Sequence, residues 1–225
     1  MRIFVTAGNT QAPIDRVRCI TNIFTGRTGA AIALEAYRRG HHVTLATSHP
    51  ETIDDVNPDP SRWRCRPFRT FDELATLMAQ HLRGEQTDAI VQCAAISDYL
   101  VAGVYARSED QWIDRAADKV SSDDPELWLR LVRAPKLIDK IRSDWNFHGL
   151  LVKFKLQVSI NENELLAIAE RSRRHSSADW MVANTLDGST EWALLGNDHG
   201  YKKVTRAELP GALLDALESP SEPEA

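Results

Sequence analysis

Residues 20–47 read "ITNIFTGRTGAAIALEAYRRGHHVTLAT", and the parsing of this stretch decides the fold. Ala30 to Arg39 consists of good helix formers, Gly40 stops the helix, and "HVTLAT" follows as an apolar, β-branched strand. Upstream, Arg2 to Thr6 is a similar short run that ends in the turn-forming "AGNT". Strand, crossover helix and strand together make one parallel unit.

The alternation continues along the chain. "FDELATLMAQHLRG" carries apolar residues at helical spacing and leads into "DAIVQCAAISDY", whose nearly continuous apolar start marks a central parallel strand. "PKLIDKIRSDW" with "GLLVKFKL", and "NENELLAIAERSRRH" with "DWMVAN", add two more helix–strand pairs. This pattern predicts an α/β fold: a Rossmann-like, doubly wound, mostly parallel sheet with helices on both faces. Two segments break the rhythm. Residues 99–122 are polar, contain Gly103 and show no clear period, so they read as a long mobile flap ahead of "ELWLRLV". Residues 191–205 set turn residues between short apolar runs and predict a small C-terminal hairpin before a last helix over residues 208–217. Residues 1–217 then form a single domain, and residues 218–225, "ESPSEPEA", a disordered acidic tail.

Composition narrows the function classes. The 225 residues carry 27 Lys+Arg against 32 Asp+Glu, a formal net charge of −5. No global basic field recommends nucleic acid, so any anion site must be local. Cys19, Cys65 and Cys93 are odd in number and lack C-x-x-C spacing, which argues against a disulfide framework and a zinc site. No apolar run approaches membrane-span length, and "MRIFVTAG" enters a strand directly. The expectation is a soluble, cytoplasmic protein with no membrane partner.

In open parallel sheets, ligands bind beyond the carboxyl ends of the strands. After the first strand come Gly8, Asn9 and Thr10, then Arg18, Asn22, Thr25, Gly26, Arg27 and Gly29. Glycines and free helix N–H groups suit phosphate, but they equally serve a turn and close helix–strand packing. Asp98, just past "VQCAAIS", could hold Mg²⁺ or a hydroxyl, or cap the next turn. Lys153 and Lys155 share one face of "GLLVKFKL". That placement fits a ligand anion, or an edge strand with both ammonium groups in water. Lys119 is either a cation that closes over a phosphorylated ligand or an ordinary solvated lysine.

Taken together, "VTAGNTQAPIDRVRCITNIFTGRTG", "CAAISDY", "DKVSSDDPELWLRLVRAPKLI", "LLVKFKLQV" and "ADWMVANTL" resemble phosphopantothenoylcysteine synthetase in its free-standing bacterial form. The likeness spans nearly the whole chain in the right order. It implies a homodimer with a flap over the site. It also implies a Mg²⁺-dependent ligase that joins 4'-phosphopantothenate to cysteine through an acyl-nucleotide, with CTP, or less often ATP, as co-substrate. A separate flavin-dependent decarboxylase is among the partners it suggests. Residue by residue, Asn22 matches the asparagine that stabilises the intermediate, and Lys119 the flap lysine on the nucleotide phosphates. Gly8, Asn9, Thr10, Ala94, Asp98, Ala134, Pro135, Lys136, Leu137, Phe154 and Lys155 match the nucleotide site, with Asp98 as its metal-binding candidate. Arg18, Thr25, Gly26, Arg27 and Ala95 match the phosphopantothenate side.

Three departures stand out. Asn9 replaces the second glycine of a pair, and asparagine tolerates left-handed backbone well. Phe24 replaces a serine, removing a hydroxyl, and Lys153 stands where glycine is common. Phe24 and Asn9 motivate an alternative, a non-catalytic nucleotide-binding relative. A nicotinamide-dependent reductase on the same fold fares worse, because Tyr99 is followed four positions later by Gly103 rather than lysine.

Overall fold

The computed structural model describes residues 1–53, 56–108 and 111–219. In chain order, β1 (Arg2–Ala7), β2 (Gln11–Pro13) and β3 (Cys19–Thr21) precede α1 (Arg27–Arg38), β4 (His42–Thr47) and β5 (Trp63–Pro67). Then come α2 (Phe71–Gly84), β6 (Ala89–Gln92), β7 (Tyr99–Ser108), β8 (Gln111–Asp114), β9 (Trp128–Arg133) and α3 (Leu137–Ser143). The chain continues through β10 (Leu150–Gln157), α4 (Glu162–His175), β11 (Trp180–Thr185), β12 (Trp192–Asn197), β13 (Gly200–Thr205) and α5 (Leu209–Glu218).

The main sheet runs β13-β12-β11-β10-β6-β1-β4-β5. Its pairs are parallel from β5 through β11, while β12 and β13 join antiparallel at the far edge. From β1 the chain steps outward through β4 to β5, then returns to β6 and proceeds the other way. The reversal between β1 and β6 is the switch point where such sheets bind ligands. Both faces of the sheet are covered. Ile3, Val5, Val91 and Val152 pack with α1 and α5 through Ile32, Ala33 and Leu213. Phe4, Ile90 and Leu151 pack with α2 and α3 through Leu74, Met78 and Ile141 on the other side. Two-sided burial explains why these strands read as unbroken apolar runs.

The doubly wound reading holds, with differences. Helix α1 begins at Arg27, ahead of the expected Ala30. Strand β5 had no counterpart in the pattern reading; it is the parallel edge strand, and its arginines Arg64 and Arg66 dilute the apolar signal. The flap is β-structure rather than irregular chain: β7 pairs antiparallel with both β8 and β9. A register shift between Val101 and Gly103 puts a bulge in β7 and breaks the two-residue period that would have revealed it. Glu218, assigned to the tail from sequence, closes α5, where Arg39 bonds its carboxylate at 2.9 Å and His41 at 2.7 Å. The tail from residue 220 on lies outside the described residues. Strand β10 sits between β6 and β11, so it is not an edge. Among the described residues no helix is long and apolar enough to cross a membrane.

One polar knot joins α4 to the C-terminal hairpin. Glu170 accepts from Arg173 at 2.8 and 2.9 Å, from Arg174 at 2.6 Å and from the Tyr201 hydroxyl at 3.0 Å. These bonds, Arg173's above all, hold its carboxyl at about 2, against an ordinary 4.5. A carboxylate whose pKa falls on folding stabilises the fold above its unfolded pKa, and that contribution disappears as pH drops through the folded value. Glu170→Gln is therefore expected to cost about 1–2 kcal/mol at pH 7. The difference from wild type should shrink between about pH 5 and pH 2, as read by urea unfolding at several pH values.

Candidate active site

At the switch point two loops meet backbone to backbone. Gly8, just past β1, has φ +84°, and Gly26, just ahead of α1, has φ +82°. A Cβ on Gly26 would lie 2.2 Å from the Gly8 nitrogen, and one on Gly8 would lie 2.1 Å from Ser48 Oγ. No side chain fits either place. Helix α1 starts here with no side-chain cap and no acidic residue in its first turn. By contrast, α2 and α4 are closed by capping boxes, Thr70 with Glu73 and Asn161 with Glu164. The start of α1 thus borders the cleft without a capping side chain or an acidic residue, a positive pole suited to an anion.

Asn9 does not take the left-handed backbone that its sequence position suggested; the strained turn is Gly8's alone. Its buried side chain ties the loop instead. Asn9 Nδ2 donates to the carbonyls of Asn22 and Phe24, both at 2.8 Å, and its backbone N–H donates to Ser48 Oγ at 2.8 Å. Asn22 in turn donates from Nδ2 to the Ala95 carbonyl at 3.0 Å. Ala95 is joined to the β1 loop by its own N–H, which donates to the Gly8 carbonyl at 2.8 Å. The loops after β1, before α1 and after β6 therefore form one hydrogen-bonded unit, with the Asn22 amide on its inner rim.

Two adjoining hollows open from this rim. The first, about 390 Å³, is bordered by Gly8, Thr25, Gly26, Arg27 and, from the loop after β13, Arg206. The second, about 440 Å³, is bordered by Asn22, Asp98, Pro135, Lys136 and Leu137. Ala94, Ala95, Phe154 and Lys155 line both, as does Phe24, which stands between the hollows as a wall. Lys155 carries an ammonium with no hydrogen-bond or ion-pair partner among the described residues. Asp98 is bound by Lys136, and its carbonyl accepts from the Ala134 N–H at 2.9 Å.

Other sequence candidates lie outside these hollows. Thr10 is buried behind the wall, where its hydroxyl accepts from the Ser97 N–H at 2.8 Å. Arg18 is held by Asp15 at 2.6 and 3.0 Å and donates to the Val120 carbonyl at 2.6 Å. Asp15 also accepts from the Val120 N–H at 3.0 Å. Arg18's bonds lead among the contacts that push the Asp15 carboxyl well below the usual carboxylate range. Arg16 N–H donates to the Asp118 carbonyl at 3.0 Å. These bonds fasten the flap to the β2–β3 hairpin on either side of Lys119, which is itself exposed and lines neither hollow.

Sequence reading passed over several cleft residues. Arg206 is half-buried, bonded to the Thr28 hydroxyl, without a carboxylate partner among the described residues, and burial lowers its pKa. Nothing local marked it, since it arrives from the far end of the chain. Cys93 lines the first hollow, but burial pushes its thiol up to about 12, so it is no nucleophile at neutral pH. Lys153 meets neither a ligand anion nor open water: it donates to the Ser172 carbonyl at 2.9 Å and to Ser176 Oγ at 3.1 Å, at the C-terminal end of α4.

Residues 1–208 match the family described as DNA/pantothenate metabolism flavoprotein, C-terminal domain. The chain belongs to this family. Among curated relatives, the coenzyme A biosynthesis bifunctional protein CoaBC of Thermococcus kodakarensis is 32% identical over 223 residues, covering 96% of this chain and 51% of the relative. The Escherichia coli K12 protein of the same name is 27% identical over 195 residues, covering 85% and 42%. The chain spans about half the length of the curated relatives it matches. Among solved structures, the DNA/pantothenate metabolism flavoprotein from Streptococcus pneumoniae superposes with TM-score 0.83 at 26% identity, covering 97% of this chain and 98% of that one. A Cab2 mutant in complex with phosphopantothenate-cysteine shares the fold, with TM-score 0.72 at 15% identity over 96% and 85%.

In this family member the Gly8–Gly26 contact sets the wall of the cleft. Gly26→Ala is expected to cost about 2–3 kcal/mol, from the left-handed backbone and the clash together. Chemical denaturation reads that loss, and an unchanged midpoint would show that the two loops tolerate separation.

Proposed function

We propose that the chain is the ligase that joins 4'-phosphopantothenate to cysteine, using a nucleoside triphosphate and passing through an acyl-nucleotide. The observation that carries this reading is convergence. Asn22, Ala95, Asp98, Lys136, Phe154 and Lys155 come from separate segments, yet border one cleft at the switch point. The family's relatives named for coenzyme A biosynthesis, and a solved neighbour complexed with phosphopantothenate-cysteine, support the substrate class.

A free carboxylate resists an amine because its charge is delocalised and oxide leaves poorly. In the proposed reaction a carboxylate oxygen attacks the α-phosphorus of the nucleotide, and the bond to pyrophosphate breaks. The cysteine amine then adds to the acyl carbon, and the nucleoside monophosphate departs with the carbon–oxygen electrons. Charge develops on phosphate and acyl oxygens in both steps, so fixed donors and unpaired cations supply the catalysis. The Asn22 amide on the rim is assigned to the acyl-nucleotide. Lys155, Arg206 and the open start of α1 are assigned to phosphate oxygens. Lys119 is assigned to the same charge once the flap swings over the cleft.

The cleft side chains do not form a metal site by themselves. Among the described residues no three His, Cys, Asp or Glu side chains gather as ligands, and Asp98 is engaged by Lys136. Mg²⁺ accordingly belongs to this reading as the companion of the triphosphate, with Asp98 the carboxylate carried over for it. A homodimer is part of the same proposal. Trp112 and Trp128 stand 53% and 51% exposed on the flap sheet, with their rings 5.1 Å apart, an apolar surface that suits a partner subunit.

Phosphopantothenate-dependent release of pyrophosphate tests the reading. Asn22→Asp is expected to lower turnover at least about 100-fold, as for the loss of one fixed donor to a developing oxyanion. Lys119→Gln should lower kcat/KM for the nucleotide by about tenfold or more. Nucleotide binding without turnover by the wild type would leave a binding protein in place of a ligase. Unchanged rates in Asn22→Asp would remove that side chain from its role.

A further inference from the structure

One carboxylate outside the cleft is held more firmly than a surface turn requires. Asp15 sits at the tip of the β2–β3 hairpin with its side chain 0% exposed, although aspartate is almost never fully buried without dedicated partners. Its two oxygens have different tasks. Oδ1 accepts from the backbone N–H groups of Val17 and Arg18 at 2.8 and 2.7 Å, the bonds that fold the tip. Oδ2 takes no part in that turn's backbone: it accepts from Arg18 Nε and Nη2 at 3.0 and 2.6 Å and from the Val120 N–H at 3.0 Å. Arg18 Nη2 completes the grip by donating to the Val120 carbonyl at 2.6 Å. Asp15 and Arg18 thus hold both backbone polar groups of one flap residue, as a neighbouring strand would, and the Val120 side chain is itself buried.

The residue before Val120 is Lys119. Its loop is anchored at the ends as well: Arg115 donates to Asp124 through two parallel bonds of 2.7 and 2.9 Å, and the Arg115 N–H donates to the Val104 carbonyl at 2.8 Å. On the other side of Lys119, the Asp118 carbonyl accepts from the Arg16 N–H at 3.0 Å. The Arg16–Asp118 ion pair, at 3.5 Å, leaves both side chains largely in water and adds little. Lys119 is therefore flanked by two fastened neighbours while its own side chain is exposed. The hairpin that fastens it pairs Gln11 with Thr21 and Pro13 with Cys19, and β3 runs directly into Asn22, whose amide stands on the rim of the cleft. A continuous path joins the two residues through β3, the Asp15 turn and Val120.

We propose that Asp15 is a positioning residue for Lys119: its Oδ2, together with Arg18, mounts the lysine on the hairpin that ends at Asn22. The proposal rests on the ligase reading only in giving Lys119 a nucleotide to meet. When the flap moves toward the cleft, the hairpin tip and residues 118–120 travel as one piece, so the ammonium arrives at a place set relative to the Asn22 amide. A lysine on an unclasped loop would search many positions, and a transition state gains most from charges already in place. The donors gathered on Asp15, Arg18's above all, hold its carboxyl well below the usual carboxylate range, so the clasp stays charged at neutral pH.

Two substitutions separate the tasks of the two oxygens. Asp15→Ser keeps one oxygen for the turn and removes the one that holds Arg18 and Val120, and Asp15→Asn can set a donor in that place. Hydrogen exchange of the full chain should show the Val120 amide exchanging at least about tenfold faster in Asp15→Ser. A double-mutant cycle with Lys119→Gln then distinguishes positioning from general support of the fold. With Lys119 present, either Asp15 variant should weaken binding of CTP and ATP, read by calorimetry, and lower kcat/KM for the nucleotide, each by about fivefold or more. In the Lys119→Gln background the same change should matter less than about twofold. Equal factors in the two backgrounds would overturn the proposal, because Asp15 would then serve only the fold. Unchanged exchange at Val120 would overturn it too, and a chain that binds neither nucleotide sinks both this and the ligase reading. Nucleotide binding without pyrophosphate release defeats the ligase reading alone, and the calorimetric cycle still decides the role of Asp15.

Discussion

The absence of two side chains holds the site together. Gly8 and Gly26 meet at a distance that only hydrogen allows, and this lets the end of β1, the start of α1 and the loop after β6 share one set of hydrogen bonds. Asn9 exploits the contact, reaching two carbonyls of the next loop from a buried position. The Asn22 amide is aimed by that arrangement. Separation of the glycines would release the asparagine pair and the helix pole together, since each depends on the same backbone placement.

The charge distribution follows from a similar economy. A chain of net charge −5 cannot attract a polyanion through its overall field, so attraction must be local. Several cations elsewhere on the surface are spent on neighbours: Arg39 is shared by Glu35, Asp215 and Glu218, and Arg173 and Arg174 by Glu170. In the cleft, Lys155 and Arg206 lack carboxylate partners among the described residues, and α1 opens without an acidic first turn. Desolvation makes such groups costly alone and effective once an anion arrives.

Much of this was legible before any coordinates. Helix α2 occupies the same residues its periodicity marked, because an amphipathic face packed on a sheet leaves a plain trace. The hairpin and the last helix were equally clear. The flap sheet was hidden by its bulge, and β5 by the arginines of an exposed edge. At the site, the gathering of Asn22, Asp98 and Phe154 was suggested by resemblance, whereas the use made of Asn9 was not, since a buried amide's partners cannot be deduced from local spacing. Lys153 shows the same limit: its partners lie on a helix that follows it in the chain.

The flap has a narrow stem. Residues 99–133 leave the body just after Asp98 and re-enter at Ala134, and the carbonyl of the first residue accepts from the N–H of the second at 2.9 Å. To the main sheet this excursion is closed off like a tight turn, and the bonds of Asp15, Arg16 and Arg18 to residues 118 and 120 are its second tether to the layers of helices and strands below. A lid mounted in this way can change its position without breaking the strand pairing of the floor beneath it.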